Sequence, residues 1–279
     1  MRKRFFLLLM IVSFFTAGCA SDKPVIKSGL KYVLIVSGQS NAVGCAHNPL
    51  ADTAVAGHSF TRTKIWVAGS WRNLNPADNT QSHNQAEHNH GIEPYFAYLF
   101  EQNFPNDYLF IIKFAEGGRS LAADAGNLDF YPTSEELYKT LKNKYIAPAL
   151  ASADLAGEYI PLGFWWMQGE TDTLSLPWAE GYYSNLVNFF STLAVDIPAT
   201  AKFKRYIGQV SNNPHYPYRD KVRAAQIKYC TVFANNAALV ATDFVDVNPN
   251  GDDIHYSAPG MSKLAKSLFT AMTGIALPN

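Results

Sequence analysis

Five short runs of the chain are apolar at nearly every position: Tyr32–Ser37 (YVLIVS), Tyr108–Phe114 (YLFIIKF), Leu162–Met167 (LGFWWM), Tyr206–Val210 (YIGQV) and Ala238–Thr242 (ALVAT). A strand with one wet face alternates apolar and polar residues. A strand covered on both faces does not, so these runs predict strands of a parallel sheet. Between them the apolar positions fall at helical spacing. Pro94–Asn103 follows Gly91 and precedes Pro105. Thr133–Ala151 opens on Thr-Ser-Glu-Glu, a pattern that caps a helix N-terminus. Trp178–Ala194 spaces Leu186, Phe189, Phe190 and Leu193 along one stripe, and Arg219–Tyr229 and Pro259–Met272 complete the set.

Alternation of strand and helix predicts a doubly wound, flavodoxin-like α/β/α sandwich, with five parallel strands in the order 2-1-3-4-5. Such a sheet binds ligands beyond the carboxyl ends of its strands. The polar stretch Asn73–His90 (NLNPADNTQSHNQAEHNH) reads as an excursion over that edge. No repeat or linker interrupts residues 29–279, which are expected to form a single domain.

The N-terminus changes the cellular picture. Arg2, Lys3 and Arg4 precede an apolar run from Phe5 to Phe15, then Thr16-Ala17-Gly18-Cys19. The run is too short to span a bilayer and has the flanks of a signal peptide. Thr-Ala-Gly-Cys resembles a bacterial lipobox, which implies cleavage before Cys19, acylation of that residue, and a tether over 19–28. Several acyl chains anchor firmly. The expected product is an exported lipoprotein on the periplasmic face or the cell surface. The chain has 23 Lys+Arg and 23 Asp+Glu; removing the three leader cations leaves 20 against 23, a net of −3. With no basic stripe, nucleic acid is not an expected partner. Aromatic residues are 14% and charged residues only 16%, which suits a protein that handles neutral surfaces such as carbohydrate.

Four segments that carry chemistry fall after predicted strands or near the C-terminal end. In Ser37-Gly38-Gln39-Ser40-Asn41, a glycine turn delivers Ser40 to the start of a helix, where backbone N–H groups face a developing anion. A serine at that place is also a common N-cap. In Glu116-Gly117-Gly118-Arg119, paired glycines let an N–H approach a substrate oxygen, or simply make a turn. In Trp165-Trp166-Met167-Gln168-Gly169-Glu170-Thr171-Asp172, Gln168 offers an amide donor. Glu170 and Asp172 can buttress loops, or act as the paired carboxylates of a glycosidase. In Asp252-Asp253-Ile254-His255, the Asp252 carboxylate can reach Nδ1 of His255 and leave Nε2 to accept a proton from a serine.

In their order, these blocks resemble the SGNH hydrolases, in the carbohydrate-esterase branch that holds sialate O-acetylesterases and acetylxylan esterases. The similarity spans residues 38–255 and extends to Val222-Arg223-Ala224-Ala225-Gln226. It implies an esterase with Ser40 as nucleophile, His255 as general base and Asp252 orienting it. The N–H groups of Ser40 and Gly118 and the Gln168 amide form the oxyanion hole. Gln39, Asn41, Arg119 and Glu170 are expected to support the site or meet substrate. The implied partner is an acetylated oligo- or polysaccharide, with no metal and no cofactor. Thr171 stands where the wider superfamily has Asn, and Asp253 where the branch commonly has Gly.

Two other readings stay beside this one. A short-chain esterase of other specificity fits the same blocks. A catalytically inactive glycan-binding lipoprotein would use Trp66 with Trp71 and Trp165 with Trp166 as stacking platforms. The histidines His83, His88 and His90 match no familiar metal spacing and read as solvated, with His90 at most near substrate. Cys45 and Cys230 either pair or remain separate thiols.

Overall fold

The computed structural model describes residues 29–47, 50–76, 78–80, 89–124, 126–248 and 252–277. The leader, Cys19, the tether, His83 and His88 lie outside the described residues. In chain order the strands are β1 (Lys31–Gly38), β2 (Ala46–His47), β3 (Thr63–Val67), β4 (Ser70–Asn73), β5 (Asn89–His90), β6 (Tyr108–Ala115), β7 (Ile160–Met167), β8 (Arg205–Gly208), β9 (Ala237–Val240), β10 (Val247–Asn248) and β11 (Asp252–Tyr256). The α-helices are α1 (Ser40–Val43), α2 (Thr53–Ala56), α3 (Glu93–Asn103), α4 (Leu137–Thr140), α5 (Ala147–Leu150), α6 (Leu176–Asp196), α7 (Arg219–Val232) and α8 (Ala258–Thr273).

The main sheet runs β4-β3-β6-β1-β7-β8-β9. The five expected strands are its β6-β1-β7-β8-β9 stretch, which is the order 2-1-3-4-5, and each pairs in parallel with its neighbour. The sheet has seven strands rather than five. The two additions form a hairpin in which β3 runs parallel to β6 and β4 antiparallel to β3. Its two-residue turn has φ of 49° at Ala68 and 82° at Gly69, values suited to a twisted hairpin. Ala-Gly lacks the side chain that advertises such a turn, which is why the hairpin was missed.

The unbroken apolar runs have a simple cause. On β1, Val33 and Ile35 face a core built with α6 and α7 through Phe189, Phe190 and Tyr229. Leu34 and Val36 face a second core built with α3 and α8 through Phe96, Phe100 and Leu268. Neither face is wet. Trp165 and Trp166 divide between these cores and are fully buried. Trp66 is buried and packs edge-to-face on Trp71 at 5.2 Å, and Trp71 is half-buried and donates to Ser152 at 2.8 Å. These tryptophans are core, so the stacking platforms of the glycan-binding alternative are not there.

The expected helix Thr133–Ala151 is interrupted. A 3-10 turn at Pro132–Ser134 leads to Glu135 in the left-handed region, and a π segment, Leu141–Ile146, separates α4 from α5. Pro148 explains the π segment. It has no N–H and crowds the carbonyl four residues back, that of Lys144. The Lys144 carbonyl instead accepts the indole N–H of Trp66 at 3.0 Å. No helix among the described residues is long and apolar enough to cross a membrane.

Candidate active site

Parallel register brings the blocks together. Gly38, at the end of β1, is level with Ala115 on β6 and Met167 on β7. The segments that follow therefore emerge side by side. Gly38 has φ of +139°, and a Cβ there would lie 2.0 Å from the Met167 carbonyl oxygen. Only glycine lets the chain turn this close to β7. The turn is fixed by Gln39 N–H donating to Met167 O at 2.9 Å. Ser40 then opens α1. The N-cap is Gln39, with no side-chain capping bond, so Ser40 is not a helix cap. With four residues, α1 contributes local N–H groups rather than a macrodipole.

The residues beside Ser40 position it. Asn41 donates to Glu170 Oε1 at 3.1 Å and to the Ile254 carbonyl at 3.2 Å, and accepts from Tyr256 N–H at 3.0 Å. It thus fastens the Ser40 turn to β11, the strand that carries His255. The Gln39 amide oxygen accepts from Thr171 N–H at 3.2 Å and fastens the turn to the loop after β7. From behind, Lys113 Nζ donates to the Val43 carbonyl at 2.6 Å and the Thr80 carbonyl at 2.7 Å. It also pairs with buried Glu93 at 2.9 Å.

Asp252 and His255 lie on β11, in a hairpin with β10. One oxygen of the Asp252 carboxylate accepts the backbone N–H groups of Ile254 at 3.0 Å and His255 at 2.7 Å. The other oxygen bonds His255 Nδ1. Burial pushes this carboxyl upward, but the His255 ring and the two backbone bonds outweigh it, leaving it below the ordinary value. The adjacent Asp253 side chain is 74% exposed and faces His215 instead.

A cavity of about 850 Å³ is lined by Ser40, Cys45, Gly118, Arg119, Glu170 and His255, among others. Tyr216 and the exposed Leu174 also border it. Gly118 has φ of +67°. The backbone N–H groups of Ser40 and Gly118 make no hydrogen bond among the described residues. Glu170 Oε2 is buried without a hydrogen-bond partner among the described residues, and burial raises the pKa of this carboxyl. Arg119 reaches Asn127 at 3.1 Å and Glu116 at 3.6 Å. No hydrogen bond joins Ser40 Oγ to His255 among the described residues; nearby, the Cys45 thiol donates to the Ser40 carbonyl at 3.5 Å. That thiol is the largest cause holding the His255 pKa up at about 9; burial opposes it and Asp252 adds to it.

Gln168 is not placed as an oxyanion donor. Its side chain is fully buried, and its amide donates to the Arg119 carbonyl at 3.0 Å and to Asp172 at 2.6 Å. Tyr182 O–H donates to its carbonyl oxygen at 3.0 Å. Asp172 also accepts Leu121 N–H at 2.9 Å and Ala122 N–H at 3.0 Å. Burial, opposed by these bonds, puts its pKa at about 6. The pair ties the loop after β7 to the loop after β6. Gln226 extends the network, donating to the Gln168 carbonyl at 3.2 Å. His90 is buried against Tyr95 at 3.1 Å and is not among the cavity residues.

Two residues that shape the site were not anticipated. Cys45 follows the Ser40 turn but carries no motif. Lys113 had one available signal, a lone cation inside an apolar strand.

Comparisons with known proteins agree with this fold. A protein from Arabidopsis thaliana superposes with a TM-score of 0.67 at 19% identity, over 87% of this chain and 98% of that one. NanS gives 0.67 at 14% identity, over 90% and 98%. A carbohydrate acetylesterase from Xanthomonas citri gives 0.58 at 16%, over 88% of this chain and 57% of that one. No protein of curated function matches the sequence. The family model for carbohydrate esterases described as sialic acid-specific acetylesterase matches residues 31–274, and the chain belongs to that family.

Proposed function

We propose that this chain is a serine esterase that removes O-acetyl groups from carbohydrate through an acyl-Ser40 intermediate, without metal or cofactor. The observation that carries the reading is one cavity holding Ser40, the bonded pair His255–Asp252, and the N–H groups of Ser40 and Gly118, which make no hydrogen bond among the described residues. Ser40 Oγ attacks the ester carbonyl as its proton passes to His255 Nε2. The two N–H groups receive the oxyanion. His255 then returns the proton to the departing sugar oxygen, and water attacks the acyl-Ser40 by the same route in reverse. Ser40 Oγ and His255 must first close to bonding distance; such contacts commonly tighten only when substrate binds.

The test is acetate release from a panel of acetylated xylooligosaccharides, O-acetylated sialic acids and simple acetyl esters. A serine-directed fluorophosphonate is tried in parallel. Release from the sugars together with labelling of Ser40 supports the reading. No release from any member and no label on Ser40 ends it.

His255 acts as a base only when neutral, and its pKa is held at about 9. The kcat/KM is therefore expected to rise with pH from neutrality to a plateau above about 9, later than the near-neutral rise of an ordinary histidine base. Cys45→Ala removes the largest cause, so the rise moves toward an ordinary histidine value of about 6.5. Unchanged pH–rate profiles in the two proteins would contradict this. We also propose that acyl chains on Cys19 hold the exported protein at a membrane. Full-length protein should sediment with membranes and Cys19→Ser should not; equal sedimentation refutes the anchor.

A further inference from the structure

The mechanism leaves one buried ion pair without a task. Lys113 lies within β6, level with Val36 on β1, and is only 4% exposed. A strand covered on both faces is a costly place for an ammonium, yet each of its three N–H groups has somewhere to go. One meets the Val43 carbonyl, which ends α1, at 2.6 Å. Another meets the Thr80 carbonyl, in the polar excursion between β4 and β5, at 2.7 Å. The third faces the carboxylate of Glu93, fully buried at the start of α3, at 2.9 Å. Glu93 in turn accepts the Gly91 N–H at 3.1 Å. Left alone, these segments have little to hold them. With four residues, α1 is a single turn, too short to be stable by itself. Gln39 ties its first end to β7 and Asn41 ties its middle to β11, but its last carbonyl rests on Lys113. Just beyond, a Cβ on Gly44 would lie 2.2 Å from the Gly91 nitrogen. Lys113 holds the near side of that close approach and Glu93 the far side.

We propose that Lys113 and Glu93 are positioning residues for the esterase reaction: they fix α1 against the start of α3 and so set where Ser40 Oγ stands relative to His255. Neither residue lines the cavity, so neither touches substrate. The proposal rests on the ester reading of Ser40. A buried ion pair is a weak source of stability, because taking both charges out of water largely cancels their attraction. What this pair supplies is geometry: one ammonium with three acceptors admits a single arrangement of the three segments. Bond formation is sensitive to that arrangement, since a displacement of about 1 Å can cost on the order of a hundredfold in rate. Holding a sugar is far less sensitive. At its other end α3 carries a control. Glu101 is also buried, and accepts the Arg62 N–H at 3.0 Å and the Thr63 hydroxyl at 2.9 Å. Those partners belong to the start of β3, and Glu101 does not line the cavity.

The test compares the whole protein with Glu93→Gln, with the double variant Lys113→Met/Glu93→Gln, and with Glu101→Gln. Each is assayed well below its thermal transition for acetate release from p-nitrophenyl acetate and acetylated xylooligosaccharides, and for the rate of fluorophosphonate labelling at Ser40. Glutamine keeps an oxygen for the Gly91 N–H, so Glu93→Gln is the variant least at risk of misfolding. The double variant removes both charges, and so leaves no carboxylate buried alone. In the double variant kcat is expected to fall roughly ten- to a hundredfold, with KM within about twofold and labelling of Ser40 slowed by the same factor as kcat. Glu93→Gln should fall between it and the parent. Glu101→Gln should lower the thermal transition and leave kcat within about twofold. Parent-like kcat in Glu93→Gln or in the double variant, a change in KM in place of kcat, or an equal kcat loss in Glu101→Gln would each overturn the proposal. In a protein that releases acetate, those outcomes end the positioning role alone. A parent that releases no acetate from any ester and takes no label at Ser40 ends the ester reading, and the positioning role with it.

Discussion

Ser40→Ala and His255→Ala should each lower kcat for acetate release by about three orders of magnitude or more, and the double variant should be no slower than either single. In the proposed mechanism nucleophile and base act as one unit, so removing either removes the covalent route and the second deletion has nothing left to take. KM should move little, because neither residue grips the sugar before the bond forms. Loss of fluorophosphonate labelling in Ser40→Ala, with an intact thermal transition, completes the result. If Ser40 were only a contact for the sugar, KM would rise, kcat would fall less than tenfold, and labelling would persist elsewhere. That pattern would sink the assignment.

Much of this site was legible because parallel register does the gathering. Once β1, β6 and β7 were recognised as neighbours, their carboxyl ends had to lie level, so Ser40, Gly118 and Gln168 had to emerge close together. The Asp252–His255 pair was legible because its partners lie three residues apart. What sequence does not state is which atoms of a polar side chain are already engaged. Gln168 has the right type and the right place, yet both its donors serve Arg119 and Asp172. Asp172 lies four residues on, but Arg119 and Tyr182 reach it from a loop after β6 and from α6, at separations no local pattern encodes. Cys45 illustrates the same limit in reverse. Nothing in Gly44-Cys45-Ala46 marks it, and its effect on the His255 pKa joins residues more than two hundred positions apart. The β3–β4 hairpin was lost for a different reason: an edge strand is half wet, and Ala-Gly carries weak turn chemistry.

Asp252→Asn should be nearly as damaging as loss of His255, on the order of four orders of magnitude in kcat by analogy with other serine triads, while leaving the fold intact. Asparagine keeps an oxygen for the backbone N–H groups of Ile254 and His255, so the β11 hairpin stays in shape. Toward Nδ1, however, it presents an N–H in place of an acceptor. The ring then carries its proton on Nε2, the atom that must receive the proton of Ser40, and the base is lost without the imidazole moving. The two variants thus differ in kind: His255→Ala removes the ring, and Asp252→Asn keeps it in the wrong tautomer. Asp253→Asn is the matched control. That side chain is exposed and faces His215, so its effect should stay within about threefold, the scale of a surface change. A loss below tenfold in Asp252→Asn would move the orienting role elsewhere. Glu170 would then be the residue to replace, because it is buried against Asn41 and its charge interacts with His255.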